Sequence, residues 1–347
     1  MTSRSILRRA CSLAVGAILL SATACLADAL PGAGRTVTPA RPTWDTGYFY
    51  VEIYDRALEA LGYTVKPPVT LENPAFYTAL AQGDVDFWVE ADIPLHNVYL
   101  DKIKGQYELV GNVAKGELQG YVVDKKTADA LHITSLDDFK RPDVVKALDE
   151  NGTGKAQLVA CPPGWGCELV IDHQIAAYGL KNTVEPIKAS YSASMADAVA
   201  KYKTGKPLFA YIWSPSWMAA MLKPGVDVVW LEAPFPSLPA DQKAAEPKTI
   251  VSGVVGCVDG HDPCKIGWPP FDVRPIANVK FLRNNPSIKR LFELMSIPVA
   301  DISAENLKMY QGEKSQADID RHATDWIKSH QQLFDGWIAQ AKAAAKP

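Results

Sequence analysis

The sequence of 347 residues lacks several features that would settle its class at once. There is no basic excess: 36 Lys and Arg stand against 39 Asp and Glu, a formal charge of −3. Residues 1–26 hold Arg4, Arg8 and Arg9 and no acid, so the remainder carries 33 basic against 39 acidic side chains, or −6. Without a basic field, nucleic acid is not expected as a partner. The chain shows no internal repeat, no low-complexity tract and no Gly/Ser-rich linker. Nor does it contain a Gly-x-Ser-x-Gly elbow or a His-Glu-x-x-His pair, which removes two common hydrolase signatures. The apolar run Ala10 to Leu20 is too short to span a bilayer as a final anchor. Cysteine is scarce, at six residues, so this is not a small disulfide scaffold.

What is present is a globular composition, 48% apolar, 22% charged and 9% aromatic, on a length that suggests two domains. Residues 1–26 read as an export signal: three arginines, the apolar run, then small residues through Ala24. Cleavage after Ala24 or Ala27 is expected; Ala22-Thr23-Ala24 matches a lipoprotein signal poorly, which makes a lipid on Cys25 the lesser expectation. Export leads to an oxidising compartment. With Cys11 and Cys25 set aside, Cys161, Cys167, Cys257 and Cys264 form two close pairs, and two short-loop disulfides are expected. The rival is a metal site built on Cys161, Cys167 and His173, but Cys-x5-Cys and Cys-x6-Cys are not the short knuckles zinc prefers.

After Pro31, short apolar runs alternate with amphipathic stretches, which predicts strands and helices alternating around mostly parallel sheets. Tyr50, Ile53, Tyr54, Ala57, Leu58 and Leu61 share a helical face closed by Gly62. Strands are predicted near 64–67, 85–90, 120–123, 157–160, 208–213, 226–230 and 250–255, and one helix over the last thirty residues, with Trp326 and Trp337 in the core. The missing linker implies that the chain crosses between lobes more than once, near 116–119 and in the Pro-rich stretch 234–247. This assigns 27–117 plus 247–347 to one lobe and 118–246 to the other. Asp149 to Gln157 resembles the first part of a calcium loop, but Ala160 occupies the position of its bidentate acid, so an ordered turn is expected.

Tryptophan carries the functional signal. Trp88 and Trp213 fall near the ends of predicted strands, and Trp165 lies in the loop Cys161-Pro-Pro-Gly-Trp-Gly-Cys-Glu168 that opens a helix. Strand ends face the crevice in open α/β sheets. Several indole faces around a small space attract a quaternary ammonium through the ring quadrupole, at about 0.5–2 kcal/mol per contact. The turn opening the helix offers the N–H groups of Gly166 and Cys167 to an anion. A ligand with a methylated cation at one end and a carboxylate at the other fits both halves.

The segments Arg56 to Tyr63, Pro94-Leu-His96, Gln119-Gly-Tyr121 with Asp124 to Asp129, Cys161 to Glu168, Trp213-Ser-Pro-Ser-Trp217 and Phe334-Asp-Gly-Trp337 resemble, in order, the glycine betaine/proline betaine-binding proteins of osmoprotectant ABC importers. The resemblance implies an α/β, two-lobed periplasmic binding protein of type II, each lobe a mostly parallel sheet flanked by helices, with ligand in the interlobe cleft. It implies an inner-membrane ABC permease and its ATPase as partners, a monomer, and no catalytic residue, metal or cofactor. Three tryptophans box the cation in that family. Two carry over onto Trp165 and Trp213, while Gly166, Cys167 and His96 match the groups that hold the carboxylate.

The third box position, two residues before Pro94, is Asp92. Trp88, Glu90 and Asp92 share strand parity, and Trp44-Asp-Thr-Gly47 lies where a first strand would hand over to a helix, so Trp88 or Trp44 is a candidate to restore the wall. Asp92 suits a cation that is exposed to water or carries an N–H or O–H donor, which keeps trimethylamine N-oxide, choline, carnitine and sulfonium analogues open beside the betaines. If protonated His96 is the binding form, uptake weakens at alkaline pH. A secreted enzyme acting on a small cationic substrate and a surface adhesion module are the rival classes.

Overall fold

The computed structural model describes residues 29–345. The expected export signal at 1–26, with Cys11 and Cys25, lies outside the described residues. Two sheets organise the chain, built from β1 (Phe87–Ile93), β2 (Tyr107–Leu109), β3 (Ala114–Glu117), β4 (Gln119–Asp124), β5 (Ala156–Val159), β6 (Val184–Ile187), β7 (Phe209–Trp213), β8 (Val228–Trp230) and β9 (Phe271–Asn278). One sheet has the order β6-β5-β7-β4-β8. In the other, β9 pairs with β1, β2 and β3. Two-residue parallel pairings, Thr36–Val37 on Thr64–Val65 and Ala40–Arg41 on Val69–Thr70, lie N-terminal to β1.

Within the two main sheets the expected mostly parallel pairing holds for β6, β5 and β7. Strand β4 runs antiparallel to β7 and β8, and β9 runs antiparallel to all three of its partners. The reason lies in the connections. A parallel neighbour needs a crossover of a dozen or more residues, usually a helix. Strand β4 follows β3 after one residue, Leu118, and so enters its sheet directly from the other one.

Helix α1 (Tyr48–Ala60) buries Tyr50, Ile53, Tyr54, Ala57 and Leu58, as its spacing predicts, and Gly62 at φ 90° ends the turn. Helix α2 (Asn73–Gln82) carries Pro74 in its first turn and ends at Gly83, φ 85°. Helix α3 (Gly166–Ala177) begins on the stapled loop. The C-terminal helix of the sequence reading is two, α4 (Gln316–Ser329) and α5 (Gln331–Ala343), because His330 leaves the helical conformation at φ −116°, ψ 27°. The turn lets Phe334 and Trp337 pack with Trp326 in one apolar cluster, so both tryptophans are core as expected.

No strand forms over 250–255. Ile250 and Val255 are exposed, Gly253 has φ 74°, and Val251 makes only an isolated bridge to Cys264. The stretch 250–268, given to the first lobe by the sequence reading, packs on the five-stranded sheet: Trp230 N–H donates to Gly256 O at 2.9 Å, Ala233 N–H to Lys265 O at 2.7 Å, and the Trp268 ring lies 4.9 Å from Tyr211. Trp213, at the end of β7, packs against both apolar clusters of the molecule, one around the five-stranded sheet and one around α1. Among the described residues no helix is long and apolar enough to cross a membrane.

Candidate ligand-binding site

The cysteine pairs close as expected, Cys161 with Cys167 and Cys257 with Cys264. The metal alternative therefore falls: both thiols are consumed, and His173 Nε2 lies 2.9 Å from Ser237 Oγ. The first bridge ties down the loop that carries Trp165, which precedes α3 in an extended conformation. The N–H groups of Gly166 and Cys167 fall in the first turn of α3, where no intrahelical acceptor exists for them. Gly166 is needed for close approach: a Cβ there would meet Leu95 O at 2.7 Å and His96 Cδ2 at 3.2 Å.

Trp44, Asp92, His96, Trp165, Trp213 and the Gly166-Cys167 turn line one cavity. The rings of Trp44 and Trp165 lie 4.9 Å apart at 66°, and those of Trp165 and Trp213 6.2 Å apart at 73°. Polar groups fix the first two. Trp165 Nε1 donates to Glu72 Oε2 at 3.0 Å, and Trp44 Nε1 to Glu90 Oε1 at 2.6 Å. Gly47 makes room for the second contact, since a Cβ there would stand 1.8 Å from Glu90 Oε2. Tyr99 O–H donates to Gly164 O at 2.9 Å, which adds a further bond between the β1 side and the stapled loop.

Trp88 is the sequence candidate that does not reach the cavity. It is fully buried and stacks on Phe76 at 3.8 Å, meeting Trp44 edge-on at 5.8 Å, so it backs the wall. Shared parity failed because the register of β9 on β1 shifts between Arg274 and Ile276. The extra residue lies on β1, where Ala91 to Trp88 spans three steps against two from Arg274 to Ile276, so strict two-residue alternation breaks between Trp88 and Asp92.

His96 also departs from expectation. It is 1% exposed, and burial pushes it down to about 3, so it is neutral at physiological pH and the alkaline weakening does not follow from it. Its Nδ1 accepts from Asp92 N–H at 3.2 Å and lies 2.9 Å from Tyr77 Oη. The ring proton therefore sits on Nε2, 3.1 Å from the Asn73 amide and 3.9 Å from Asp92 Oδ2. A half-turn of that amide gives its otherwise unpaired Oδ1 this hydrogen. Burial pushes Asp92 up to about 8, and burial followed by the Asp92 charge raises Glu90 well above the carboxylate range.

Sequence reasoning missed Tyr211, Gln119, Asn73, Leu95 and Phe271 in the lining. Tyr211 was within reach, since it lies two residues before Trp213 on β7 and shares its face. It donates to Gln119 Oε1 at 2.6 Å. The loop at 149–157 is a self-satisfied turn, with Asp149 accepting from Thr153 N–H at 2.9 Å and Gly154 N–H at 2.8 Å.

Residues 35–329 match the family described as the substrate binding domain of the ABC-type glycine betaine transport system. The chain belongs to this family. It is 44% identical over 322 residues to the glycine betaine-binding periplasmic protein OusX of Dickeya dadantii, covering 92% of this chain and 94% of that one. It is 43% identical over 332 residues to the glycine betaine/proline betaine-binding periplasmic protein of Escherichia coli, covering 95% and 97%. Two solved structures share the fold. Lactococcal OpuAC, closed on glycine betaine, has a TM-score of 0.65 at 20% identity, over 88% of this chain and 99% of that one. A choline-binding protein in complex with choline has a TM-score of 0.67 at 19% identity, over 90% and 96%. These relatives are substrate-binding transport proteins, and the two-lobed architecture of the glycine betaine-binding family is the architecture of this chain.

Proposed function

We propose that this protein is the extracytoplasmic receptor of an ABC importer and that its cavity captures a small methylated ammonium solute of the glycine betaine or proline betaine type. The observation that carries this reading is the convergence of Trp44, Trp165 and Trp213 with the N–H groups of Gly166 and Cys167 around one cavity. The rings attract the methylated cation, and the N–H groups at the helix N-terminus hold the carboxylate, with neutral His96, its Nε2–H engaged by Asn73, lining the same cavity. Trp44 takes over the wall that Asp92 vacates. The lobes in this proposal are 29–117 with 269–345, and 118–268; they close on the ligand through Glu72–Trp165 and Tyr99–Gly164. The protein works in the periplasm as a monomer, delivering its load to an inner-membrane permease driven by its ATPase, and performs no chemistry on it. Because Asp92 lines the cavity, trimethylamine N-oxide, choline, carnitine and sulfonium analogues form the second ligand panel.

Calorimetric titration of the mature protein with both panels tests this. Tight one-to-one binding of a betaine, recovered unchanged by mass spectrometry, is the expected result. Absence of binding across both panels, or conversion of the ligand, overturns it.

A further inference from the structure

The cavity poses a charge problem. Among the described residues, its lining includes no Lys or Arg, and its histidine is neutral. Asp92 is the one acid of the lining, its side chain 16% exposed. Behind it Glu90, 4% exposed, accepts from Trp44 Nε1 and leaves Oε2 without a hydrogen-bond partner. A zwitterion adds no net charge to this space, whereas a methylated ammonium without a carboxylate adds one positive charge. A net charge is costly to hold away from water unless it is paired. One proton on Asp92 balances either case.

We propose that Asp92 acts as a one-proton selector, so that this cage takes methylated zwitterions with Asp92 protonated and methylated monocations lacking a carboxylate with Asp92 ionised. The inference rests on the cavity being the ammonium cage proposed above. Protonated, Asp92 does not repel a ligand carboxylate held at the N–H groups of Gly166 and Cys167. Ionised, it is the counter-charge of a monocation, and the proton it gives up goes to solvent.

Asp92 titrates among several other ionisable groups. Burial raises the phenols of Tyr50 on α1, Tyr77 on α2 and Tyr211 on β7, which feel its charge, well above 10. His96 stays neutral down to about 3, and Asp92 itself is pushed up to about 8. Burial, then the Asp92 charge, raises Glu90 well above the carboxylate range. On β9, Val273 lies opposite Asp92; its neighbours are engaged elsewhere, Asp272 accepting from Gly116 N–H and Arg274 donating to Gly111 O. Burial raises Asp45 as well, and Glu72 accepts from Trp165 Nε1. Glu117, which burial raises to about 7, accepts from Ser214 Oγ beside the β3–β4 passage and titrates in the same window, so it requires a control.

The test is calorimetry on the full mature chain with glycine betaine and choline as probes, from about pH 5.5 to about pH 9.5, in buffers of different ionisation heat. Choline affinity is expected to rise by up to about tenfold per pH unit below the Asp92 transition, with one proton released, and to level above it. Glycine betaine affinity is expected to be level below the transition and to fall above it. In Asp92→Asn, glycine betaine binding persists with a flat profile, and choline binding drops by about tenfold or more and also flattens. Asp92→Ser, with its own circular dichroism check, repeats the comparison if the first variant folds poorly. Equal slopes for both probes, slopes that persist in Asp92→Asn, slopes that vanish instead in Glu117→Gln, or no choline binding at any pH would overturn the selector. Unchanged affinity for both probes in Trp165→Ala marks failure of the cage itself. Loss of binding in that variant beside flat profiles in the wild type marks failure of the selector alone.

Discussion

The two walls of the cavity are built on different physical terms. On the side of the five-stranded sheet, Trp165, Gly166 and Cys167 sit on a disulfide-stapled loop and Trp213 on the end of β7, and the wall offers rings and N–H groups with no carboxylate in the lining. On the side of β1, the wall offers one ring, Trp44, one carboxyl, Asp92, and a neutral His96, all backed by buried Glu90 and Trp88. The first wall is stiff and chemically fixed. The second holds two carboxyls raised by burial and so keeps a degree of freedom, a proton, that the first does not have. In the proposed function, general affinity for methylated cations belongs to the first wall and discrimination among them to the second.

Removing the fixed wall gives the largest effect. Trp165→Ala and Trp213→Ala should each weaken betaine binding by about tenfold or more, as a lost cation–π contact of about 1.4 kcal/mol implies. Titration calorimetry reads this directly, and unchanged affinity in both variants would erase the distinction between the walls. On the second wall, Trp44→Ala should cost about fivefold to tenfold in affinity. Trp88→Phe should stay within about twofold while lowering the melting temperature, because Trp88 is packed on Phe76 away from the ligand. An equal loss of affinity in both variants would show that the second wall has no inner and outer layer.

The stapled-loop part of the first wall is legible in the sequence because its parts are local, whereas Tyr211 and Gln119 come from strands the loop does not reveal. A cysteine pair six residues apart, a Gly-Trp-Gly turn and a helix start occupy one segment, and their geometry follows from that segment. The second wall is legible only in Trp44, Asp92 and His96; Asn73, Leu95 and Phe271 also line it. Trp44 and Asp92 were named, but Trp88 was placed with them because a period-two pattern cannot reveal a bulge, which depends on the register of the distant strand β9. The condition placed on His96, that its protonated form binds, is not met, because burial among Asn73, Tyr77 and Asp92, drawn from α2 and β1, keeps it neutral. Sheet direction was misread where the chain passes directly from one sheet to the other, since periodicity carries no sign of direction. The alternation of strands and helices, the α1 face and the core tryptophans of α4 and α5 follow from spacing alone, and these were read correctly.

The proton on the second wall also has a stability consequence in the empty protein. Burial raises Asp92 to about 8 in the folded chain, above its ordinary carboxylate value near 4 in the unfolded one. The stabilising form is the protonated one. Its contribution is complete below the unfolded value and is lost as pH rises through the folded value. Asn mimics the protonated carboxyl, so Asp92→Asn should melt with the wild type at about pH 4 and above it by about 2–4 °C at neutral pH, the gap ceasing to grow above the folded value. Thermal scans at several pH values check this, and a gap independent of pH would mean that Asp92 is ionised throughout.

The smallest effect tests whether the walls communicate. Glu72, exposed at the start of α2, accepts from Trp165 Nε1 and so joins the two sides directly. An exposed hydrogen bond of this kind is worth about 0.5–1 kcal/mol, so Glu72→Ala should raise the ligand dissociation rate by about twofold to fivefold. Encounter takes place before the walls meet, so the association rate should hold. Stopped-flow tryptophan fluorescence separates the two rates. A loss confined to association would instead make Glu72 a steering charge at the cleft mouth, and ionic strength would then scale the effect, because steering of an approaching cation is screened by salt while a closed N–H to carboxylate bond is screened far less.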